Sequence, residues 1–255
     1  YDSWSIVPKL APGADEASSV AVLLELARFF AEHPPARTLW FVAFSGHWEA
    51  LAGSREFVEK HYFSEDVLTG KTKLLALLNI YLCTESPTLT YINFGVGYGY
   101  DNTRHMFSLL AVIEDSKKPL EKLGFGWDDY VEARWDRGLH MDSYFIHDAE
   151  PVAVARSVSL SYITTRTSRL NWGSPSSTIE KVQLKNLEPP AKLIFCTAYS
   201  IANINTPGLG LSWSNISPQR YFIEAAGGGG GLPSGGYAKV EGDVVRFDPQ
   251  TRWYT

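Results

Sequence analysis

Asp15 and Glu16 lie in the stretch Ala11-Pro12-Gly13-Ala14-Asp15-Glu16-Ala17-Ser18-Ser19, directly ahead of a run with apolar residues at helical spacing. An acidic pair on a Pro-Gly loop before a helix brings carboxylate oxygens together, as many divalent-cation sites require. The same residues also suit an N-cap with an acidic first turn, where carboxylates meet the positive end of the helix dipole. On these residues alone the capping reading carries more weight. His47 and Glu49 form a second candidate pair; two apart, they diverge on a helix and converge only in a loop. Asp142, His147, Asp148 and Glu150 form a third group, ahead of the apolar run 151–155. For both groups a polar loop is the plainer reading. Other schemes find little support: there is no GxSxG elbow, and neither cysteine stands beside a histidine. Gly95-Val96-Gly97-Tyr98-Gly99 lacks the helix and third glycine of a dinucleotide fingerprint.

The elements that must position these residues follow from periodicity. Residues 17–32 read as an amphipathic helix that stops at Pro34-Pro35. Residues 38–44 form a short apolar run and read as a buried strand, followed by a helix over 50–61. Residues 73–82 and 89–94 read as further strands, 102–123 as helical, and 151–155 as a strand. A closing helix spans 187–204 and is expected to begin at the second proline of Pro189-Pro190. Alternating helices and buried strands give an α/β fold, a three-layer sandwich around a central, mostly parallel mixed sheet. Residues 1–204 form this domain. Residues 205–236 read as a Gly/Ser/Pro-rich linker containing the glycine run 227–231, and 237–255 as the beginning of a small β module.

A net charge of −5 with pI near 5.7 argues against nucleic-acid binding. No apolar run is long enough to span a membrane, and the first residues do not make a signal peptide. The two cysteines, Cys83 and Cys196, sit in apolar surroundings and read first as free thiols, with a disulfide as the alternative.

Several motifs in order, however, resemble one known family. Tyr1-Asp2-Ser3, the PGADEAS stretch with its helix, ARTLWFVAFSGHWEALAGS and Ser174-Pro175-Ser176-Ser177-Thr178-Ile179-Glu180-Lys181-Val182 are similar to the di-zinc aminopeptidase family. That family reads HxDS, PGADDNASG, FVAFxxEExGLLGS and HTPxDTxEKV, and includes glutaminyl cyclases, nicastrin and the transferrin receptor. The resemblance covers residues 1–204. It implies that Asp15 stands where a carboxylate bridges two zinc ions, that Glu16 replaces the acidic residue beside it, and that Asp2 orients a ligand histidine that would precede Tyr1. The family's Glu-Glu pair, general base and ligand, falls on His47 and Trp48. A later ligand Asp falls on Tyr81, the last ligand His on Gly173, and its companion Asp on Ser177. A Trp cannot ligate zinc, and His47 is a poor substitute for a carboxylate that moves a proton from metal-bound water.

The expectation is therefore a non-catalytic relative with no cofactor, used for binding or assembly with a protein or peptide partner inside a larger, extracytoplasmic protein. Vestigial metal candidates are Asp2, Asp15, Glu16 and His47, and Glu49, Asp142 and His147 are candidate cleft residues. Two alternatives stay open: a zinc peptidase with a shifted ligand set using Asp15 and His47, and a peptide- or carbohydrate-binding module using Trp48 and Tyr81. The tail 219–255 weakly resembles the first strands of a carboxypeptidase-regulatory-like module.

Overall fold

The computed structural model describes residues 8–92, 103–132, 147–204, 218, 247–248 and 253–254. Three strands make the central sheet: β1 (Leu77–Tyr81), β2 (Leu89–Ile92) and β3 (Ser159–Thr164), in the order β1-β3-β2. β1 runs parallel to β3, with Leu77 opposite Ser159, and β2 runs antiparallel to β3, with Leu89 opposite Thr164. The sheet is mixed, as expected for this α/β class.

Two helical layers cover the sheet because alternate residues of its strands are apolar on both sides. Leu78, Ile80, Leu160 and Tyr162 pack with α1 (Ser18–Glu32), α4 (Thr103–Glu121) and α6 (Glu188–Asn203) in the larger core cluster. α1 contributes Val22, Leu26 and Phe30, the i, i+4, i+8 stripe that made it legible as a helix. Leu74 and Leu77 face the other way. They meet Phe57 at the end of α2 (Ala52–Phe57), the π-helical turn Val58–Tyr62 that continues it, and Val152 of α5 (Glu150–Val154). A short α3 (Glu65–Leu68) leads back toward β1.

Three expectations are corrected. The run 38–44 is neither helix nor ladder strand: no sheet partner for it exists among the described residues. Residues 151–155 lie mostly in a buried helix, not a strand. A short apolar run fits either, and the helix is permitted because Pro151 falls in its first turn, where no intrahelical N–H bond is needed. The true strand is 159–164, whose serines and threonine hide its apolar alternation. α6 also starts earlier than expected, at Glu188, since both prolines sit among the first four N–H positions that a helix leaves unsatisfied.

Cys83 and Cys196 are free thiols. Of residues 205–255, expected to be a linker and the start of a β module, only 218 and a two-residue antiparallel pair, β4 (Phe247–Asp248) with β5 (Trp253–Tyr254), lie among the described residues. Among the described residues no helix is long and apolar enough to cross a membrane.

The turn that carries His47 is closed by backbone hydrogen bonds. Gly53 N–H donates to Ser45 O at 3.0 Å, and a Cβ at Gly53 would meet that oxygen at 2.3 Å. Gly53→Ala is therefore expected to cost about 1–3 kcal/mol in urea denaturation, as overpacking against rigid backbone does. An unchanged midpoint would show that the turn relaxes freely.

Candidate functional site

The carboxyl ends of the parallel strands β1 and β3 meet the loop before α1, and there the acidic pair is found. Gly13 takes a left-handed φ of 69° to turn the chain into α1, a conformation for which Gly has no steric cost. Asp15 is buried. Its Oδ1 accepts the Thr84 N–H at 2.7 Å and the Thr84 hydroxyl at 2.5 Å, and its Oδ2 accepts the Trp172 indole N–H at 2.7 Å. Sequence reasoning expects Asp15 to be satisfied by its own helix N-terminus or by a cation. Instead the donors come from the segments that follow β1 and β3. Glu16 is bound in the same way: Oε1 accepts Gly173 N–H at 2.7 Å and Oε2 accepts the Ser177 hydroxyl. The backbone of Ala14 and Asp15 also donates to Ser177, to its carbonyl and its hydroxyl. Loop 172–177 is thus fastened along the acidic loop by five bonds whose donors and acceptors are all protein groups.

Beside this pair stands Arg169, which sequence reasoning missed. Its buried guanidinium lies 4.3 Å from the Tyr81 ring centre and 4.2 Å from that of Trp172, and donates to Tyr81 O at 3.2 Å. A desolvated cation between two aromatic faces is worth about 2 kcal/mol. The φ of Arg169 is 48°, strained for a residue with a Cβ, and held by this packing. Trp172 and Thr84 were missed too. The signal available was the polar, aromatic stretch Thr164–Trp172 directly ahead of Gly173, at the end of the unrecognised strand.

On the far side of Tyr81 lies the histidine cluster. His47 is buried, stacks on Tyr81 at 5.3 Å with an interplanar angle of 23°, and its Nδ1 lies 2.8 Å from Asp148 Oδ2. Trp48 meets the His47 ring edge-on at 5.0 Å and is 40% exposed. The turn is strained, with positive φ at Ala50 and Leu51. Glu49 is exposed and does not join its neighbour His47 in the cluster. His147 is buried against Tyr81, with both ring nitrogens unpartnered among the described residues. Burial, and then the nearby His47 and Arg169, push the His147 imidazole down to about 3, so it is neutral at ordinary pH. Glu150 accepts the His147 N–H at 2.7 Å, and burial pushes its carboxyl up to about 7. Asp2 and Asp142 lie outside the described residues. Asp15, Glu16, Gly173 and Ser177 are brought together in one group, and His47, Trp48, Tyr81 and His147 in an adjoining one.

The family model of peptidase family M28 matches residues 1–194. The chain belongs to that family. Its fold is similar to that of a zinc aminopeptidase from Bacillus subtilis, at a TM-score of 0.56 and 19% identity, over 83% of this chain and 46% of that one. It is likewise similar to an aminopeptidase from Aneurinibacillus sp. strain AM-1, at a TM-score of 0.52 and 20% identity, over 78% of this chain and 42% of that one. A probable zinc metalloprotease of Pyrenophora tritici-repentis is 48% identical over 71 residues, 28% of this chain and 15% of that protein. The chain therefore spans less than half the length of the solved relatives and matches about a seventh of the fungal one.

These matches correct the expectation of no cofactor, since zinc is the metal named for the Bacillus and fungal relatives. The described residues of this chain do not by themselves fit zinc. Each carboxylate oxygen of Asp15 and Glu16 already accepts a bond from an N–H or O–H group. No group of three or more His, Cys, Asp or Glu side chains among the described residues is placed to hold a metal.

Proposed function

We propose that this member of peptidase family M28 does not hydrolyse peptides and serves instead by binding or assembly. The observation that carries the reading is the state of the position that resembles the family's Glu-Glu pair. His47 is turned onto Asp148 at 2.8 Å and packed on Tyr81, while Trp48 lies across its edge. A general base must reach a water beside the scissile carbonyl with a free lone pair. Neither His47 nor Trp48 carries the carboxylate that the resemblance places at this pair, and Trp48 offers no lone pair at all. The proposal concerns the reaction rather than metal occupancy. An aromatic-lined, polar cleft with a buried guanidinium is suited to holding a ligand, and a protein or peptide partner within a larger extracytoplasmic protein is the setting that the resemblance supports.

The zinc-enzyme names of the relatives favour a second reading, a zinc peptidase whose ligand set is completed by residues beyond those described. One measurement separates the two. The purified chain, loaded with added zinc, is assayed against aminoacyl p-nitroanilides with and without a chelator. No chelator-sensitive release above the buffer blank is expected. Release that scales with zinc and disappears with chelator would establish the second reading and overturn the first.

A further inference from the structure

The loop 165–187, which runs from the end of β3 to α6, inverts the usual placing of polar and apolar side chains. Arg169 is buried, while its neighbour Leu170 is 79% exposed. Ile179 and Leu184 are exposed to 68% and 67%. Among the described residues only Leu123 is a more exposed large apolar side chain than Leu170, so three of the four most exposed lie in this one loop. A single exposed leucine is ordinary on a protein surface; three brought to one face are not.

The inward bonds of the loop bring them there. Asn171, beside Leu170, donates through Nδ2 to Glu85 Oε1 at 3.4 Å. Gln183, beside Leu184, donates its N–H to Thr84 Oγ1 at 3.1 Å. Ser177, two residues before Ile179, accepts the Ala14 N–H at its carbonyl. All three ties end on the segment after β1 or on the acidic loop, at one rim of the sheet. Polar groups therefore face inward, and the aliphatic side chains are left outside. The turn Pro8–Leu10, which leads into the same acidic loop, adds an exposed Leu10 behind an exposed Lys9.

The charge of the loop differs from that of the whole chain. Residues 165–187 hold Arg166, Arg169, Lys181 and Lys185 against Glu180 alone, in a chain whose net charge is −5. Lys181 and Lys185 are exposed, close in sequence to Ile179 and Leu184. The carboxylates beneath are taken up by the loop itself: Glu16 accepts from Gly173 and Ser177, and Glu85 from Thr167 and Asn171.

We propose that this rim docks on the surface of an anionic lipid bilayer, with Leu170, Ile179 and Leu184 entering the headgroup region and Lys181 and Lys185 meeting lipid phosphates. Burial of aliphatic side chains then adds to the attraction between lysines and negative headgroups, the two terms of interfacial binding. A protein partner fits the face less well. Cores of protein interfaces favour aromatic residues and arginine and are poor in lysine. Here the Trp172 indole N–H is bound to Asp15, and Arg169 lies buried beneath the loop. A fluid bilayer requires only that the separate aliphatic tips stand on one side, whereas a protein surface must match them in shape. The docking rests on this loop alone and is independent of whether the chain cleaves peptides.

The test is flotation of the 255-residue chain with vesicles of phosphatidylcholine, alone or with about one quarter phosphatidylserine, at about 0.1 M salt. Binding to the phosphatidylserine vesicles is expected to exceed that to the neutral ones by about tenfold, and to weaken severalfold at about 0.5 M salt. Leu170→Ser, Ile179→Ser and Leu184→Ser together should reduce it by about tenfold or more, and Lys181→Glu with Lys185→Glu should remove the preference for phosphatidylserine. Hydrogen exchange on the unaltered chain gives a reading that needs no variant to fold: amides of residues 176–186 should slow on phosphatidylserine vesicles, and those of α1 should not. No vesicle binding, binding that the serine variant keeps, slowing centred outside this loop, or a dimer of the chain that the serine variant dissolves would each overturn the proposal. None of these readouts measures hydrolysis of aminoacyl nitroanilides, so the two proposals fail separately.

Discussion

Asp15→Ala is expected to lower the stability of the metal-free chain by about 3–5 kcal/mol at pH 7, read from urea denaturation midpoints. The side chain is 4% exposed and satisfies three donors at once: the Thr84 N–H, the Thr84 hydroxyl and the Trp172 indole N–H. Alanine leaves all three in a buried site. Thr84 is itself a junction, since its hydroxyl also accepts Gln183 N–H and its carbonyl accepts Asn186 Nδ2–H. The loss therefore spreads to the chain leading into α6. Trp172→Phe removes only the indole donor and keeps a ring for Arg169 to stack on, so about 1–2 kcal/mol is expected. The double variant should fall short of the sum, because the two share one bond. The sign is what matters. A carboxylate held ready for a ligand commonly costs the empty protein stability, and its removal then stabilises. A rise in midpoint for Asp15→Ala would show that Asp15 is poised for a cation rather than built into the fold.

That contrast also explains what could be read from the sequence. α1 was legible because its apolar spacing and the Pro34-Pro35 stop belong to the segment itself. The acidic loop was legible because Pro-Gly-x-Asp-Glu keeps its meaning without tertiary contacts. The partners of Asp15 were not, because Thr84 and Trp172 are 69 and 157 residues away, and ordinary residue types announce no such meeting. The strand 159–164 was missed for a local reason. It lies between α5 and the loop that bears Arg169 and is buried along its whole length, so its serines find protein partners instead of solvent: Ser161 accepts from Asn79 Nδ2, and Ser159 donates to the Ala149 carbonyl. Residues 38–44 show the reverse failure. Their apolar run has the composition of a buried strand, and their side chains behave as one, but a strand is completed by its neighbour's backbone, about which composition says nothing.

Glu150→Gln should reshape the dependence of stability on pH, because Glu150 and His147 act in opposite directions over one range. The Glu150 carboxyl is 1% exposed, with Oε2 unpartnered among the described residues, and burial raises it from 4.5 to about 7, with Asp148 adding to the rise. Between those values the folded chain holds a proton that the unfolded chain has released. This contribution is therefore complete below about pH 4.5 and is lost as pH rises through 7. His147 is lowered from 6.5 to about 3, so there the unfolded chain binds the extra proton and stability climbs with pH from 3 to 6.5. Over pH 4.5–6.5 the two slopes offset one another, and the parent should show a nearly flat profile there. Glutamine is neutral at every pH and keeps the carbonyl that accepts the His147 N–H. The variant should match the parent near pH 4.5, climb alone through the His147 range, and exceed the parent above pH 7 by on the order of 3 kcal/mol. Denaturation midpoints at half-unit pH steps from 4 to 8.5 give the comparison. Parallel curves would mean that Glu150 ionises in the folded chain as it does in water, with solvent reaching its second oxygen.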